Sequence, residues 1–238
     1  MTTVSIIIPT LNEEKYIGIL LNSLQKQTKQ PTEIIIVDGF SQDKTRQIIR
    51  KYPFVRLLKT NPPVGNQRNQ GAREATGSIL IFLDADTTIP TNFIKQIHQI
   101  LKKQSVYIAC PWFIPQTKNP LILFTYLFFN CIFWLFQKVL PSGASTCLIV
   151  RKNIFLASGG FSSEYKFEDI ELIRRLSRKN SFRLLPLTVY TSPRRFYKQG
   201  VLTTILQYLL LSVFFCTNQF KIANKVPYFF GNYSKTNQ

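Results

Sequence analysis

The stretch ILIFLDAD at residues 79–86 is the most informative part of the sequence for the fold. Its first five residues, Ile79–Leu83, are apolar without interruption, which is typical of a strand covered on both faces of a sheet. Asp84 and Asp86 follow directly, where such a strand ends. Ligands of open α/β sheets bind outside the carboxyl ends of the strands. The stretch therefore predicts a central strand and the edge of a binding site.

Strand and helix patterns alternate around this stretch. Buried strands are predicted at Val4–Ile8, which is apolar except for Ser5, and at Ile34–Val37, and a further strand is predicted at Val55–Leu58. Helical spacing predicts helices over Glu13–Gln27, from a Ser41 cap to about Lys51, over Asn66–Ala75 and over Pro90–Lys103. Alternation of this kind predicts an α/β fold, with a mostly parallel central sheet flanked by helices.

The second half of the chain is less regular. Extended segments are predicted at Tyr107–Ala109, Thr146–Val150 and Phe182–Tyr190, and helices at Leu121–Phe136, Glu168–Lys179 and Val201–Cys216. We expect one domain over residues 1–200, made of two halves at 1–115 and 116–200. Residues 201–238 are expected to add an apolar helix and a polar tail that is loose at its end.

The charge distribution restricts the partners. The chain of 238 residues has a net charge of +18, and after Lys118 its only acids are Glu164, Glu168, Asp169 and Glu171. A half this basic should attract anions such as nucleotide phosphates or a phospholipid surface. Nucleic acid is not expected as a partner, because no recognition helix, zinc finger or RNA-binding signature is present.

The remaining composition indicates a packed cytoplasmic protein. Hydrophobic residues make up 45% of the chain, which is enough for a core. The four cysteines are widely spaced in apolar surroundings, so we expect buried thiols in a reducing compartment. No secretory signal pattern opens the sequence. A cytoplasmic location follows, with peripheral contact to the inner face of the cell membrane left open.

Polar residues follow three of the predicted strands. Asn12 and Glu13 follow the first, Asp38 follows the second, and Asp84 and Asp86 follow the fourth. Singly, an Asn can merely cap a helix and an Asp-Gly pair can merely form a turn. Their coincidence at one edge favours a ligand site. Two carboxylates two residues apart also suit Mg²⁺ or Mn²⁺, which prefer oxygen ligands, although a solvated pair in a turn is the alternative.

Two more candidates are open to both structural and functional interpretations. Arg68 lies in the segment Gly65–Gly71, which fits neither the P-loop nor the dinucleotide-binding pattern, so it either faces a nucleotide or is exposed. Glu168 and Asp169 stand at the start of a predicted helix. They either complement its dipole, or Asp169 acts as a general base. The single His98 lies among polar residues, which argues against a histidine-dependent nucleophile.

Taken in order, these motifs resemble those of family 2 glycosyltransferases with the GT-A fold. The resemblance covers residues 4–200 and is closest to small bacterial members with an Arg-Arg-aromatic stretch. Its motifs here are Pro9-Thr10-x-Asn12-Glu13, Val37-Asp38-Gly39-x-Ser41-x-Asp43, Arg68-Asn69-x-Gly71, Asp84-x-Asp86, Gly159-Gly160-Phe161, Glu168-Asp169 and Arg194-Arg195-Phe196.

The resemblance implies a sugar transfer from a nucleotide-diphosphate sugar, with UDP favoured, to an unidentified acceptor. It makes residues 1–115 the nucleotide-binding half and residues 116–200 the acceptor half. The reaction would be inverting and dependent on Mg²⁺ or Mn²⁺. The implied donor-site residues are Thr10, Glu13, Asp38 and Arg68 for the base and ribose, Asp84 for the ribose and diphosphate, Arg195 for the diphosphate and Asp86 for the metal. Asp169 would be the general base. The Gln-x-x-Arg-Trp signature of processive members is absent, which argues against polymer synthesis.

Two other functions remain possible from the sequence. A nucleotidyltransferase also uses paired aspartates and metal, but Pro9–Glu14 lacks the glycine-rich loop usual there. A non-catalytic nucleotide or lipid-surface binding protein would be expected to lose Asp86 or Asp169.

Two apolar stretches and one loop are the candidates for the part of the site that binds the acceptor. Leu121–Phe136 and Val201–Cys216 are shorter than the ~20 residues that span a bilayer. They are either core helices or interfacial helices that hold the site near a lipid-linked acceptor. Leu140–Ser145 stands where an acceptor-side loop is expected, and it indicates no particular substrate.

Overall fold

The computed structural model describes residues 2–103, 106–143 and 146–227. Within them, eight strands form one sheet in the order β3-β2-β1-β4-β7-β6-β8-β5. The strands are β1 Val4–Thr10, β2 Glu33–Asp38, β3 Val55–Lys59, β4 Ile79–Leu83, β5 Thr87–Thr88, β6 Ile108–Pro115, β7 Cys147–Arg151 and β8 Phe182–Thr191.

The first four strands of this order are parallel, as predicted. β1 lies between β2 and β4, and its register places Thr10 opposite Asp38 at the carboxyl ends. β7 runs antiparallel to both β4 and β6, so that a strand of the second half lies beside the central strand of the first. The strands of both predicted halves therefore belong to one sheet. The short β5, which the sequence did not predict, pairs antiparallel with β8.

Helices cover both faces of the sheet. They are α1 Ile17–Gln25, α2 Thr45–Ile49, α3 Val64–Glu74, α4 Phe93–Lys103, α5 Pro120–Phe136, α6 Lys152–Ala157, α7 Glu168–Ser177, α8 Arg194–Gln199, α9 Val201–Cys216 and α10 Phe220–Ala223. The five long predicted helices of more than ten residues are all present, although α1 begins four residues after Glu13. The short α8, which begins at Arg194, was not predicted as a helix.

One predicted cap is wrong. The helix after β2 begins at Thr45, and Lys44 precedes it without a side-chain cap. Ser41 lies further upstream, where its hydroxyl donates to Asp38 Oδ1 at 2.5 Å and accepts from the backbone N–H of Asn12. Ser41 therefore links the ends of β1 and β2 and donates to the carboxylate of Asp38, which is buried and needs hydrogen-bond donors.

Alternate residues of the central strands divide the core into two layers. Ile6 and Ile8 pack with α1 and α4 on one face, whereas Ile7 and Phe82 pack with α3 and α7 on the other. This two-sided burial is the reason that the strands read as continuous apolar runs. It also fixes the carboxyl ends of β1, β2 and β4 as a rigid edge.

The two long apolar helices pack at the surface. α5 and α9 meet through Phe129 and Tyr208, whose ring centroids are 5.8 Å apart. No helix in the described ranges is both long and apolar enough to cross a membrane. Cys110 and Cys147 are buried as expected, but the prediction is wrong for Cys131 on α5 and Cys216 on α9, which are exposed because those helix faces point outward. The predicted polar tail lies largely in residues 228–238, outside the described residues.

Candidate active site

A cleft of about 850 Å³ opens at the carboxyl ends of β1 and β4. One side, which we call the polar wall, carries eight charged side chains: Glu13, Arg68, Asp84, Asp86, Glu168, Asp169, Arg194 and Arg195. The opposite side, the apolar wall, is formed by α5 and α9 and includes Phe129, Ile132, Phe133, Tyr208, Leu211 and Phe215. Six of the eight residues assigned from the sequence thus lie on one surface.

Arg68 connects two parts of the polar wall. Its Nη2 donates to Asp84 Oδ1 at 2.7 Å and its Nη1 donates to Glu168 Oε1 at 2.9 Å, and only 4% of the residue is exposed. Burial works against its charge, but the two carboxylates raise the pKa of Arg68 above its ordinary value. The alternative of an exposed Arg68 is therefore excluded, and the side chain lines the cleft.

The position of Arg68 follows from close packing of α3. Gly71, one turn along the same helix, leaves no room for a side chain, since a Cβ there would lie 2.5 Å from Ile7 Cγ2. Gln67 also anchors the helix by donating to the carbonyl oxygens of Thr10 and Val37, at 2.7 and 2.8 Å. α3 is therefore held directly on β1 and β2, which aims Arg68 at the strand ends.

Arg194 is the residue that sequence reasoning underestimated. Its Nη1 and Nη2 donate to the two carboxylate oxygens of Glu13 at 2.6 and 2.8 Å, and its Nε lies 3.0 Å from Asp86 Oδ2. The guanidinium also lies over the ring of Tyr16, 4.9 Å from its centroid. The sequence favoured its neighbour Arg195, which lines the cleft and donates to the hydroxyl of Tyr208 at 3.2 Å. Only the adjacent pair of arginines signalled either residue.

Burial disfavours the ionised form of the two carboxylates that Arg194 contacts. Burial raises the pKa of Asp86 to about 7, and the neighbouring Asp84 and Glu13 add to this rise while Arg194 opposes it. Burial likewise raises the pKa of Glu13 despite its bidentate bond. Additional positive charge in this part of the cleft would stabilise both carboxylates.

Glu168 and Asp169 begin α7, as predicted. Burial raises the pKa of Glu168 to about 7 and also raises the pKa of Asp169, and Arg68 opposes both shifts. The positive end of a helix favours ionised carboxylates, but burial outweighs that effect for Asp169. A base whose pKa is raised toward the working pH is better matched to proton transfer.

The other residues of α7 have structural partners. Glu171 bonds Arg175, one helical turn away, at 2.7 Å. Arg174 instead donates to Asn218 Oδ1, to Ser142 Oγ and to the carbonyl of Phe215. It thereby joins α7 to the end of α9.

Thr10 and Asp38 do not lie on the wall of the cleft. Asp38 is fully buried and accepts from the backbone N–H and the hydroxyl of Ser41 at 3.0 and 2.5 Å. The hydroxyl of Thr10 reaches the same carboxylate at 3.4 Å. The structure thus places both residues behind the polar wall, where they shape the loops that follow β1 and β2.

The expected acceptor-side loop also borders the cleft. Leu140, Ser142 and Gly143 line it, and Thr146 lines it on the far side of the loop. Ala144 and Ser145 lie outside the described residues.

The chemistry of the polar wall fits a divalent cation. Asp84 and Asp86 offer oxygen ligands, and Mg²⁺ is usually held by one or two carboxylates together with substrate phosphates. Across the described ranges, no three acidic, histidine or cysteine side chains are grouped as a complete ion site. A cation bound here would therefore need the phosphates of a ligand to complete its coordination.

The sequence matches the model of glycosyl transferase family 2 over residues 5–155. This chain belongs to that family. It is 41% identical to the poly(ribitol-phosphate) β-N-acetylglucosaminyltransferase TarS of Staphylococcus aureus over 103 residues, which are 40% of this chain and 18% of TarS. It is 27% identical to an uncharacterized glycosyltransferase of Haemophilus influenzae over 201 residues, covering 75% of this chain and 63% of that protein.

Solved structures confirm the GT-A fold. The crystal structure of TarS in complex with UDP-GlcNAc superposes with a TM-score of 0.65 at 23% identity, covering 80% of this chain and 58% of that one. The mannosyltransferase PcManGT of Pyrobaculum calidifontis, in complex with GDP-Man and Mn²⁺, gives 0.71 at 19% identity, covering 91% and 64%. The chain spans less than two thirds of these relatives.

Proposed function

We propose that this protein is an inverting glycosyltransferase that moves a sugar from a nucleotide-diphosphate sugar to an acceptor hydroxyl. The observation that carries the proposal is the polar wall, where Asp84, Asp86 and Asp169 meet on one surface although 85 positions separate Asp84 from Asp169. Family membership supports sugar transfer over nucleotidyl transfer. The presence of both Asp86 and Asp169 argues against a purely binding role.

In the proposed reaction Asp169 is the general base. It accepts the proton of the acceptor hydroxyl, whose oxygen forms a bond to the anomeric carbon of the donor. The bond from that carbon to the diphosphate oxygen breaks, and the nucleoside diphosphate leaves with the electron pair. Attack opposite the leaving group inverts the anomeric centre.

The donor occupies the end of the cleft where β1 and β4 terminate. Glu13 and Arg68 contact its base and ribose, Asp84 lies near the ribose and diphosphate, and Arg195 binds the diphosphate. Thr10 and Asp38 support this site from behind by fixing the loops after β1 and β2. UDP is favoured because the related TarS binds UDP-GlcNAc.

Asp86 is the proposed ligand of Mg²⁺ or Mn²⁺. Such an ion would supply positive charge that stabilises the leaving diphosphate. Burial is the main cause of the raised pKa of Asp86, and Asp84 and Glu13 add to it, so a cation bound there would favour the ionised carboxylate. The Mn²⁺ in the structure of PcManGT supports the same choice.

We infer that the reaction takes place at the surface of an anionic membrane, with a lipid-linked acceptor. The inference is supported by the exposed apolar faces of α5 and α9 and by the basic second half. The contact is peripheral, since neither helix reaches the length of a span.

A nucleotide panel tests the donor and the metal together. We expect UDP with Mn²⁺ to raise the melting temperature more than GDP, CDP or dTDP, because a ligand that binds only the folded state stabilises it. Asp86→Asn should lose the Mn²⁺-dependent part of this rise, and Glu164→Gln, an exposed acid away from the cleft, should keep it. Equal stabilisation of Asp86→Asn and parent would contradict the metal assignment, and no response to any nucleotide would contradict the donor site.

A further inference from the structure

The apolar wall of the cleft has no counterpart in the chemistry of a nucleotide-sugar. Nucleotide, diphosphate and sugar are all rich in polar groups, and the polar wall supplies charges for them. Facing it, α5 and α9 present Phe129, Ile132, Phe133 and Leu211 to the same space. An apolar surface of this kind is stabilised by an apolar occupant.

The apolar wall reaches the proposed base. Phe167, two residues before Asp169, lines the cleft and packs on Phe215 of α9, with ring centroids 5.1 Å apart. Phe167 and Leu211 also share a small hydrophobic cluster. A molecule lying along this wall would therefore end next to Asp169.

The apolar wall also reaches the outside of the protein, at the carboxyl ends of α5 and α9. Phe136, at the end of α5, lines the cleft and is still 43% exposed. Cys216, at the end of α9, likewise lines the cleft and is exposed. Next to them, Leu135 and Val213 belong to the exposed apolar faces of the same helices. The apolar surface is thus continuous from the exterior to the interior of the cleft.

The polar and apolar parts are joined by α8. Arg194 bonds Glu13 and Asp86, while Phe196 is buried with Tyr126 of α5 and Tyr208 of α9, each ring 5.8 Å away. The two apolar helices are therefore anchored to the catalytic end of the cleft, and their positions are part of the site.

We propose that the apolar wall binds the hydrocarbon chain of the acceptor. The acceptor is an amphiphile with at least one apolar chain and a hydroxyl-bearing head. Its chain lies on the apolar wall between α5 and α9, which is open to a lipid surface at the rim near Phe136 and Cys216, and its head lies at Asp169. This inference rests on the proposed sugar transfer to a lipid-linked acceptor, which it deepens by naming the binding site of the hydrocarbon chain.

Alkyl glucosides of increasing chain length, used below their micelle-forming concentrations, test the chain site without any donor. Methyl, hexyl and octyl β-D-glucoside should bind with affinity that rises roughly three- to fourfold per added CH₂ group, as expected when each group leaves water. The dissociation constants are measured by calorimetry on the full chain.

Ser212, which lies on α9 and lines the cleft, offers the blocking variant. Ser212→Trp should abolish the chain-length dependence by filling the space between the helices, and Ile132→Ser should weaken it from the opposite side. Ile19→Trp, at an exposed apolar position on α1, is the matched control and should bind like the parent. If Ser212→Trp does not fold, Ile132→Ser alone decides the matter.

Two outcomes would overturn the chain site. The first is an affinity for alkyl glucosides that does not depend on chain length. The second is a chain-length dependence that is lost in Leu206→Ser, on the outer face of α9, but kept in Ile132→Ser. Stabilisation by UDP and Mn²⁺ is measured on the same samples. If UDP and Mn²⁺ do not stabilise the parent but the alkyl glucosides still bind, the proposed sugar transfer is overturned and the chain site is retained.

Discussion

At the scale of single residues, the cleft is organised by two arginines that each bind two carboxylates. Arg68 holds Asp84 and Glu168, and Arg194 holds Glu13 and Asp86. The acids could be selected from the sequence because they follow apolar strands or begin a helix. Which arginine pairs with which acid could not be predicted, because Arg68 and Glu168 are 100 positions apart and Arg194 and Glu13 are 181 apart. No local spacing encodes such pairs.

Asp169→Asn should retain donor and metal binding but lose transfer by the ~10²–10⁴-fold typical of a missing general base. In the parent, kcat/KM should rise with pH through a pKa above the ordinary range of an aspartate, because burial raises the pKa of Asp169 and the base works only when deprotonated. Rate and product anomer are measured, and the anomer should be inverted. Near-parental transfer by Asp169→Asn, with loss in Glu168→Gln, would move the role to the neighbour.

Arg194→Met should destabilise the protein by roughly 3 kcal/mol, since removing one partner leaves Glu13 and Asp86 buried without their cation. Mn²⁺ should restore part of the stability, and more in the variant than in the parent, because the cation replaces the missing charge. The free energy of unfolding is measured with and without Mn²⁺. The control is Arg56→Met, which removes an exposed pair with Glu74 and should cost at most ~1 kcal/mol. A loss unaffected by Mn²⁺ would mean that the ion does not bind beside these carboxylates.

At the scale of elements, strands were easier to predict than the short helices and caps. The runs that became β1, β2 and β4 are buried on both faces, so their apolar pattern is uninterrupted. α8 has only six residues and is stabilised by Phe196 between two other helices, which is a tertiary cause. Serine commonly caps helices, but Ser41 instead donates hydrogen bonds to the buried Asp38. Leaving that carboxylate without donors would cost more free energy than leaving the helix uncapped.

Gly71→Ala should destabilise the protein although alanine favours helices by about 1 kcal/mol over glycine. The new methyl group would meet Ile7 Cγ2 at 2.5 Å and Val37 Cγ2 at 3.2 Å, and overpacking of this kind typically costs about 1–3 kcal/mol. Gly65→Ala in the same helix meets its nearest atom at 3.5 Å and should be neutral or slightly stabilising. Denaturant unfolding measures both. Stabilisation by Gly71→Ala would show that α3 does not lie so close to β1.

At the scale of the whole molecule, charge and apolar surface are found on the same part of the chain. Sixteen basic residues and four acidic ones occur from Lys118 onward, and the same region contains α5 and α9. The sequence left open whether these helices are core or interfacial. In the structure each helix buries one face and exposes another that carries large apolar side chains, including Phe124 on α5 and Leu206 on α9. Lys118, Lys138 and Lys198 are exposed beside the ends of these helices.

Binding to anionic vesicles should therefore have an electrostatic and an apolar component. The protein should sediment with phosphatidylglycerol-containing vesicles at low salt and much less with pure phosphatidylcholine. High salt should weaken binding, because each lysine or arginine near an anionic surface contributes about 1 kcal/mol that falls off within a Debye length. Phe124→Glu combined with Leu206→Glu should abolish binding at both salt concentrations, since it places charge on the inserted faces. Ile19→Glu on α1 is the control, because Ile19 is also an exposed apolar residue. This variant adds one negative charge where the double variant adds two, and it should leave binding nearly unchanged. If the α1 variant loses as much binding as the double variant, the change in net charge alone explains the loss. If the double variant still binds, α5 and α9 do not contact the membrane.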